Sequence, residues 1–232
     1  MTEIITEKDG RSCQYDEKKL SELREKVKKE GFISDRRLSH TLGVEAECKA
    51  LAELFGFSKN DSMRLCASGL LHDITKEKST EEQIALCDRF GIVYPADAVC
   101  SPKVFHGWTA AALVRELYPQ FCDEEMCTAI ASHTTGKRGM TLFDSLLYLA
   151  DYIEPGRSFE DCVNLRHFFY KGAEKASGDI TALCVHLRET LILSFDMTVR
   201  CLLEERQEIF SETVAARNAL IRGECAFIGE YF

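Results

Sequence analysis

Proline is scarce in this chain, four residues in 232, and no stretch alternates apolar and polar residues with a strict period of two. The first scarcity leaves helices uninterrupted, and the second argues against half-buried strands as the organising element. Long hydrophobic runs are absent too. Stretches such as "SLLYLA" fall well short of the roughly 18 apolar residues of a membrane span, so no membrane partner is expected. The eleven cysteines are odd in number, scattered, and contain no C-x-x-C pair. That pattern excludes a disulfide scaffold and points to reduced, mostly buried thiols. A net charge of −9 disfavours broad nucleic-acid binding, which needs a basic face. Any anionic substrate must then be held by local positive charge. The opening "MTEIITEKDG" is polar and acidic, unlike a secretory signal, and a cytoplasmic location is expected.

What the chain has in quantity is helical periodicity. Leu20, Leu23 and Val27 share one face of a first helix stopped by Gly31, and a second is expected from about Arg36 to Phe55. Ser58 with Asp61, and Ser79 with Glu82, read as capping-box starts. Further helices are expected over Lys103–Leu117, Asp123–His133 and Leu142–Ile153. A long amphipathic stripe runs beyond Asp179 through Leu183, Leu187, Leu191 and Phe195, and a last helix follows Ser211. The segment from Met1 to about Asp16 is expected to be disordered. The fold class is all-α and the chain one domain.

Within this helical frame lie His40, His72, His106 and His133, near expected helix ends or in polar surroundings. A lone histidine is more often structural than a ligand. The ordered set is more telling: a His, a His-Asp doublet at His72–Asp73, two separated His, and then Asp151. Imidazole with carboxylate suits borderline divalent metals, and the lack of cysteine beside these positions argues against a structural zinc site.

The order H…HD…H…H…D resembles the HD superfamily of metal-dependent phosphohydrolases. The finer motifs "RRLSHTLGV", "GLLHDITK", "FHGWTAA", "SHTTG" and "LLYLADYIEPGR" are similar to the YqeK-type symmetrical diadenosine tetraphosphate hydrolases. The likeness runs from about Arg36 to Arg157 and resumes at "TVAARN". Where such chains usually carry a His-Pro before that last motif, this one has "FSE", and its connection through "FFYKGAEKASGD" is longer than usual.

The resemblance implies a single HD-domain helical bundle with a dinuclear metal site in its core. Residues 1–30 would form an N-terminal extension and first helix, 31–157 the metal-binding core, and 158–232 C-terminal helices completing the same domain. His40, His72, Asp73 and Asp151 would hold one ion. His106 and His133 would hold the second, with Asp73 bridging. Iron is the implied metal, with manganese its close competitor. Lys76 matches the family's HD-x-x-K lysine and would meet phosphate. Arg37, Thr134, Thr135 and Arg157 would contact the substrate, with Thr213 and Arg217 as C-terminal nucleotide contacts. Pro155 would end a helix and Gly156 permit a sharp turn aiming Arg157 at the site. His167 and His186 match nothing and read as structural or surface residues.

The implied reaction is symmetrical cleavage of diadenosine tetraphosphate to two ADP by a metal-bridging hydroxide, with Asp73 positioning and helping to deprotonate the water. Two other readings remain open. One is another HD nucleotide phosphohydrolase or phosphodiesterase; the other is an HD module that senses nucleotide without turnover. The expected partner is a small dinucleoside polyphosphate or ADP, bound to a monomer or homodimer.

Overall fold

The computed structural model describes residues 13–227, which form ten α-helices and no strand. They are α1 (Glu17–Glu30), α2 (Asp35–Leu54), α3 (Lys59–Leu71), α4 (Thr80–Phe90), α5 (Phe105–Leu117), α6 (Glu124–Ser132), α7 (Leu142–Ile153), α8 (Glu160–Ala176), α9 (Ile180–Glu204) and α10 (Ser211–Ile221). No helix among these residues is long and apolar enough to cross a membrane.

Local chemistry fixes most helix starts. Asp16, Ser34, Ser79, Asp123 and Asp179 each accept a backbone N–H from the first turn of the helix they precede. Ser79–Glu82 closes a reciprocal capping box, as does Thr141–Asp144. The Ser58–Asp61 pair differs from its expected box. Ser58 accepts the Asp61 N–H, but the Asp61 carboxylate takes the Ser58 hydroxyl and Arg64 rather than the Ser58 backbone.

α7 sits at the centre, packed by α2, α3, α6 and α8. Every residue from Leu142 to Ala150 is buried. A helix whose leucines point to several sides has to be enclosed, and each fully buried leucine there contributes about 1.5–3 kcal/mol. One continuous apolar cluster runs from Leu23 on α1 through Leu147 on α7 to Phe195 on α9 and Leu220 on α10. A smaller cluster around Phe105 and Phe210 ties α5 to the chain entering α10.

Two expectations are corrected. α8 lies within the 158–232 region expected to hold C-terminal helices, but no helix was placed there, and its second half occupies the segment read as a long connection. Cys162, Leu165, Phe169 and Ala173 form its buried stripe, but no side chain caps its start at Phe159, and only the acidic first turn, Glu160 and Asp161, marks it. The expected disorder from Met1 to about Asp16 falls largely on residues 1–12, outside the described residues. Cys13 to Asp16 are packed: the Cys13 N–H donates to Asp123 at 2.7 Å, and the Tyr15 hydroxyl donates to the Phe121 carbonyl at 2.6 Å. All eleven cysteines are free and six are buried.

Candidate metal centre

The six residues singled out above arrive from five helices. His40 lies inside α2, His72 caps the end of α3 with Asp73 beyond it, His106 is the second residue of α5, His133 caps α6, and Asp151 lies in the last turn of α7. The C-terminal ends of α3 and α6 suit this task because their last backbone carbonyls lack intrahelical partners, and at the start of α5 the carbonyl used lies in the chain before the helix. His72 Nδ1 bonds the Gly69 carbonyl at 2.7 Å, His106 Nδ1 the Lys103 carbonyl at 2.6 Å, and His133 Nδ1 the Ile130 carbonyl at 2.7 Å. A carbonyl only accepts, so each Nδ1 carries a proton, which leaves Nε2 as the nitrogen each ring can offer to a cation. Gly107 lets α5, which carries His106, approach α6, which ends at His133. A Cβ there would stand 2.8 Å from the Ala131 carbonyl, so only glycine lets α5 lie this close to α6.

All four Nε2 atoms converge on the two carboxylates. Asp73 stands between the halves: its Oδ2 is 3.4 Å from His72 Nε2 and 3.7 Å from His40 Nε2, while its Oδ1 is 3.3 Å from His106 Nε2 and 3.5 Å from His133 Nε2. Asp151 Oδ1 lies 3.0 Å from His40 Nε2 and 3.6 Å from His72 Nε2. The Nε2 atoms of His106 and His133 face each other at 3.0 Å.

These residues fit divalent cations. His40 Nε2, His72 Nε2 and Asp73 Oδ1 are buried with no hydrogen-bond partner, although His40 is at hydrogen-bond distance from Asp151. Lone pairs facing carboxylates at such distances call for a shared positive charge. Two groups, His40–His72–Asp151 and His72–Asp73–His133, have ligand atoms close enough to share an ion. Titration points the same way. Burial alone would raise Asp73 and Asp151, yet the imidazoles, and Arg157 for Asp151, hold both well below the carboxylate range. Burial disfavours a charged His72, but Asp73 and Asp151 outweigh it and push the ring up to about 10. Burial, with Lys76 and His133, takes His106 down to about 4 against the pull of Asp73.

Cations surround the cluster. Arg37 donates to Asp73 Oδ2 at 2.7 Å, Arg157 to Asp151 Oδ1 at 2.6 Å, and Lys76 Nζ lies 3.0 Å from His106 Nε2. Burial depresses the Lys76 ammonium, with Arg37 and Arg157 acting in the same direction. A cleft of about 620 Å³ lined by Arg36, Arg37, His40 and Arg157 opens on one side. On the other, Lys76, Lys78 and His106 line a smaller cleft, and Lys103 joins it to one lined by Thr134, Thr135 and Thr213. Thr134 Oγ1 lies 3.0 Å from His106 Nε2 and 3.1 Å from His133 Nε2. Arg217 instead pairs with Asp196 of α9 and with Asn218. His167 is exposed, and His186 bonds the Phe169 carbonyl at 3.0 Å.

Gly136 closes the turn after His133 with φ +65°, and a Cβ there would stand 2.5 Å from the Phe195 ring. Gly136→Ala is therefore expected to destabilise the fold by about 1–3 kcal/mol. A urea midpoint equal to wild type would contradict this packing.

The expected sharp turn is present: the Arg157 N–H donates to the Glu154 carbonyl at 3.0 Å across Pro155 and Gly156, and the Arg157 guanidinium turns back to Asp151. Gly156 is not among the positive-φ residues, so what it adds to that turn is room. The residue needing that room is Glu154, which the sequence reading left without a role though it stands inside the quoted "YIEPGR" motif. Arg166 on the unforeseen α8 was missed as well. Its guanidinium grips the carbonyls of Ile153, Glu154 and Arg157 at 2.5, 2.6 and 2.9 Å.

Helices delivering four histidines and two aspartates to one buried point, in this chain order, define the HD class of hydrolases. The HD-domain family matches residues 37–156 of this chain. A symmetrical bis(5'-nucleosyl)-tetraphosphatase of Bacillus subtilis is 33% identical over 193 residues, 82% of this chain and 92% of that protein. Its namesake in Halalkalibacterium halodurans is 30% identical over 82% of this chain and 91% of its own. A crystal structure from Clostridium acetobutylicum, described as a "predicted HD superfamily hydrolase involved in NAD metabolism", aligns with TM-score 0.72 at 27% identity, covering 90% of this chain and 99% of that one. The chain belongs to the HD-domain family, in the branch of the symmetrical bis(5'-nucleosyl)-tetraphosphatases.

Proposed function

We propose that this chain hydrolyses diadenosine tetraphosphate symmetrically to two ADP in the cytoplasm. The observation that carries the reading is the position of Asp73, one oxygen turned to each half of the histidine cluster, with an arginine-lined cleft on one side and a lysine-lined cleft on the other. The names of the Bacillus and Halalkalibacterium relatives support it. Two divalent ions, iron or else manganese, held by His40, His72, Asp73 and Asp151 and by His106, His133 and Asp73, would supply Lewis acidity, acidifying a solvent molecule and neutralising phosphoryl charge.

The chain's own residues then do the rest. Asp73 orients the attacking water; held well below the carboxylate range, it is a weak base and a good anchor. Arg37 and Arg157 clamp phosphate oxygens from one side and Lys76 meets them from the other, fixing an inner phosphorus atom opposite the water. Thr134, Thr135 and Thr213 offer hydroxyls to the nucleotide on the lysine side. Arg217 would have to leave Asp196 to join them. ADP is a good leaving group, so no dedicated acid is required.

The test is product analysis on diadenosine tetraphosphate, diadenosine triphosphate and a cyclic dinucleotide, before and after chelation. ADP alone from the tetraphosphate, lost with chelator and restored by metal, is the expected result. ATP with AMP would overturn symmetrical cleavage. Tight binding without turnover would favour a nucleotide sensor instead.

A further inference from the structure

His40 differs from the other three histidines in a way that exposes a supporting residue. Those three sit near helix ends and give their Nδ1 protons to backbone carbonyls three residues upstream. His40 lies well inside α2 (Asp35–Leu54), where carbonyls already accept the helix's own N–H groups. Its Nδ1 turns instead to a side chain from another element, the Glu154 carboxylate just past α7, at 3.1 Å from Oε1.

The surroundings of that carboxylate are shaped for it. Glu154 is 3% exposed, and its Oε2 accepts the Gly156 N–H at 2.6 Å. A Cβ at Gly43, one turn beyond His40 on α2, would stand 2.4 Å from Oε2, and a Cβ at Gly156 would stand 2.8 Å away. Neither glycine has a positive φ, so both are there for space. Arg166 holds the turn from outside through the carbonyls of Ile153, Glu154 and Arg157. Two missing side chains, one N–H and one guanidinium therefore keep a single carboxylate in place.

We infer that Glu154 is a positioning residue for His40, accepting the Nδ1 proton and so holding the Nε2 lone pair toward Asp151 and the cation site. The inference rests on the metal reading above. An ionised carboxylate can only accept, so this contact excludes the tautomer with its proton on Nε2. Without it the ring could turn or carry its proton inward, and Asp151 would lose the partner 3.0 Å away.

Gly43→Ala separates this role from folding. Alanine is the better helix former, and the atom it displaces is the far end of a flexible side chain. The helix should survive while the carboxylate is pushed off His40.

The experiment titrates cobalt(II) into metal-free wild type, Glu154→Ala, Glu154→Gln and Gly43→Ala, reading affinity and the visible absorption band, with helicity followed by circular dichroism. Glu154→Ala and Gly43→Ala should bind cobalt about 10–100-fold more weakly with an altered band and unchanged helicity. Glu154→Gln keeps one oxygen to accept from Nδ1 but turns its NH₂ toward the Gly156 N–H, so it should recover part of that loss. Wild-type affinity and spectrum in Gly43→Ala and Glu154→Ala would overturn the positioning role. Wild type that binds no cobalt would overturn the metal reading itself.

Discussion

Asp73→Ala is expected to purify as a folded helical protein whose turnover is lower by more than about 10³-fold, beyond the cost of one electrostatic contact in an active site. The reason is its double duty. Its Oδ2 serves the His40–His72 side and its Oδ1 the His106–His133 side, at 3.3–3.7 Å. Alanine leaves four imidazoles and Arg37 without the anion they share. The apolar core is untouched, so far-ultraviolet circular dichroism should match wild type. Asp73→Asn sharpens the test. It keeps the shape and one carbonyl oxygen, but its NH₂ cannot accept a cation or a donor. It should therefore satisfy one half of the cluster and remain nearly inactive. Steady-state ADP release with metal analysis reads both variants. Substantial activity in a folded Asp73→Ala protein would end the reading of this site as the catalytic centre.

How much of this was legible beforehand depends on whether the signal was local. His72 and His133 mark helix ends, and the hydrogen bonds that fix their rings reach only three residues back, so the chain itself announces them. Capping residues such as Ser79 and Asp123 are local in the same sense. α8 was not legible, because its buried stripe starts without a capping side chain and is crossed by Phe168 and Tyr170. Glu154 was not legible either. Its meaning is set by Gly43, 111 positions away, and by Arg166 on that missed helix. Gly156 was read as part of the turn that aims Arg157, and that turn is present; what was not read is the room its missing Cβ leaves for the Glu154 carboxylate two residues earlier. Capping and ring-fixing residues were found; residues whose role is to leave room for another side chain, such as Gly43 and Gly156, were not.

Arg157 tests whether the arginine-lined cleft belongs to the chemistry. Its backbone is pinned twice, by its own N–H to the Glu154 carbonyl at 3.0 Å and by Arg166 on its carbonyl at 2.9 Å. One guanidinium nitrogen meets Asp151 at 2.6 Å, while its Nε is buried with no partner. A guanidinium so fixed, with a donor still unsatisfied beside the cluster, suits a phosphate oxygen. Symmetrical cleavage demands such a contact, since the tetraphosphate must lie in register for an inner phosphorus atom to be attacked. Arg157→Ala should therefore keep its metals but lose about 2–4 kcal/mol of transition-state stabilisation, roughly 30- to 1,000-fold in rate. Arg157→Lys should recover only part, because an ammonium is a point charge that cannot hold Asp151 and a phosphate with a rigid fork. The readout is kcat/KM with product analysis on metal-loaded protein. A loss confined to rate, with metal content intact, places the residue on the substrate. Metal loss in Arg157→Ala would show that its main work is to hold Asp151, and two variants as fast as wild type and still yielding only ADP would remove Arg157 from the reaction.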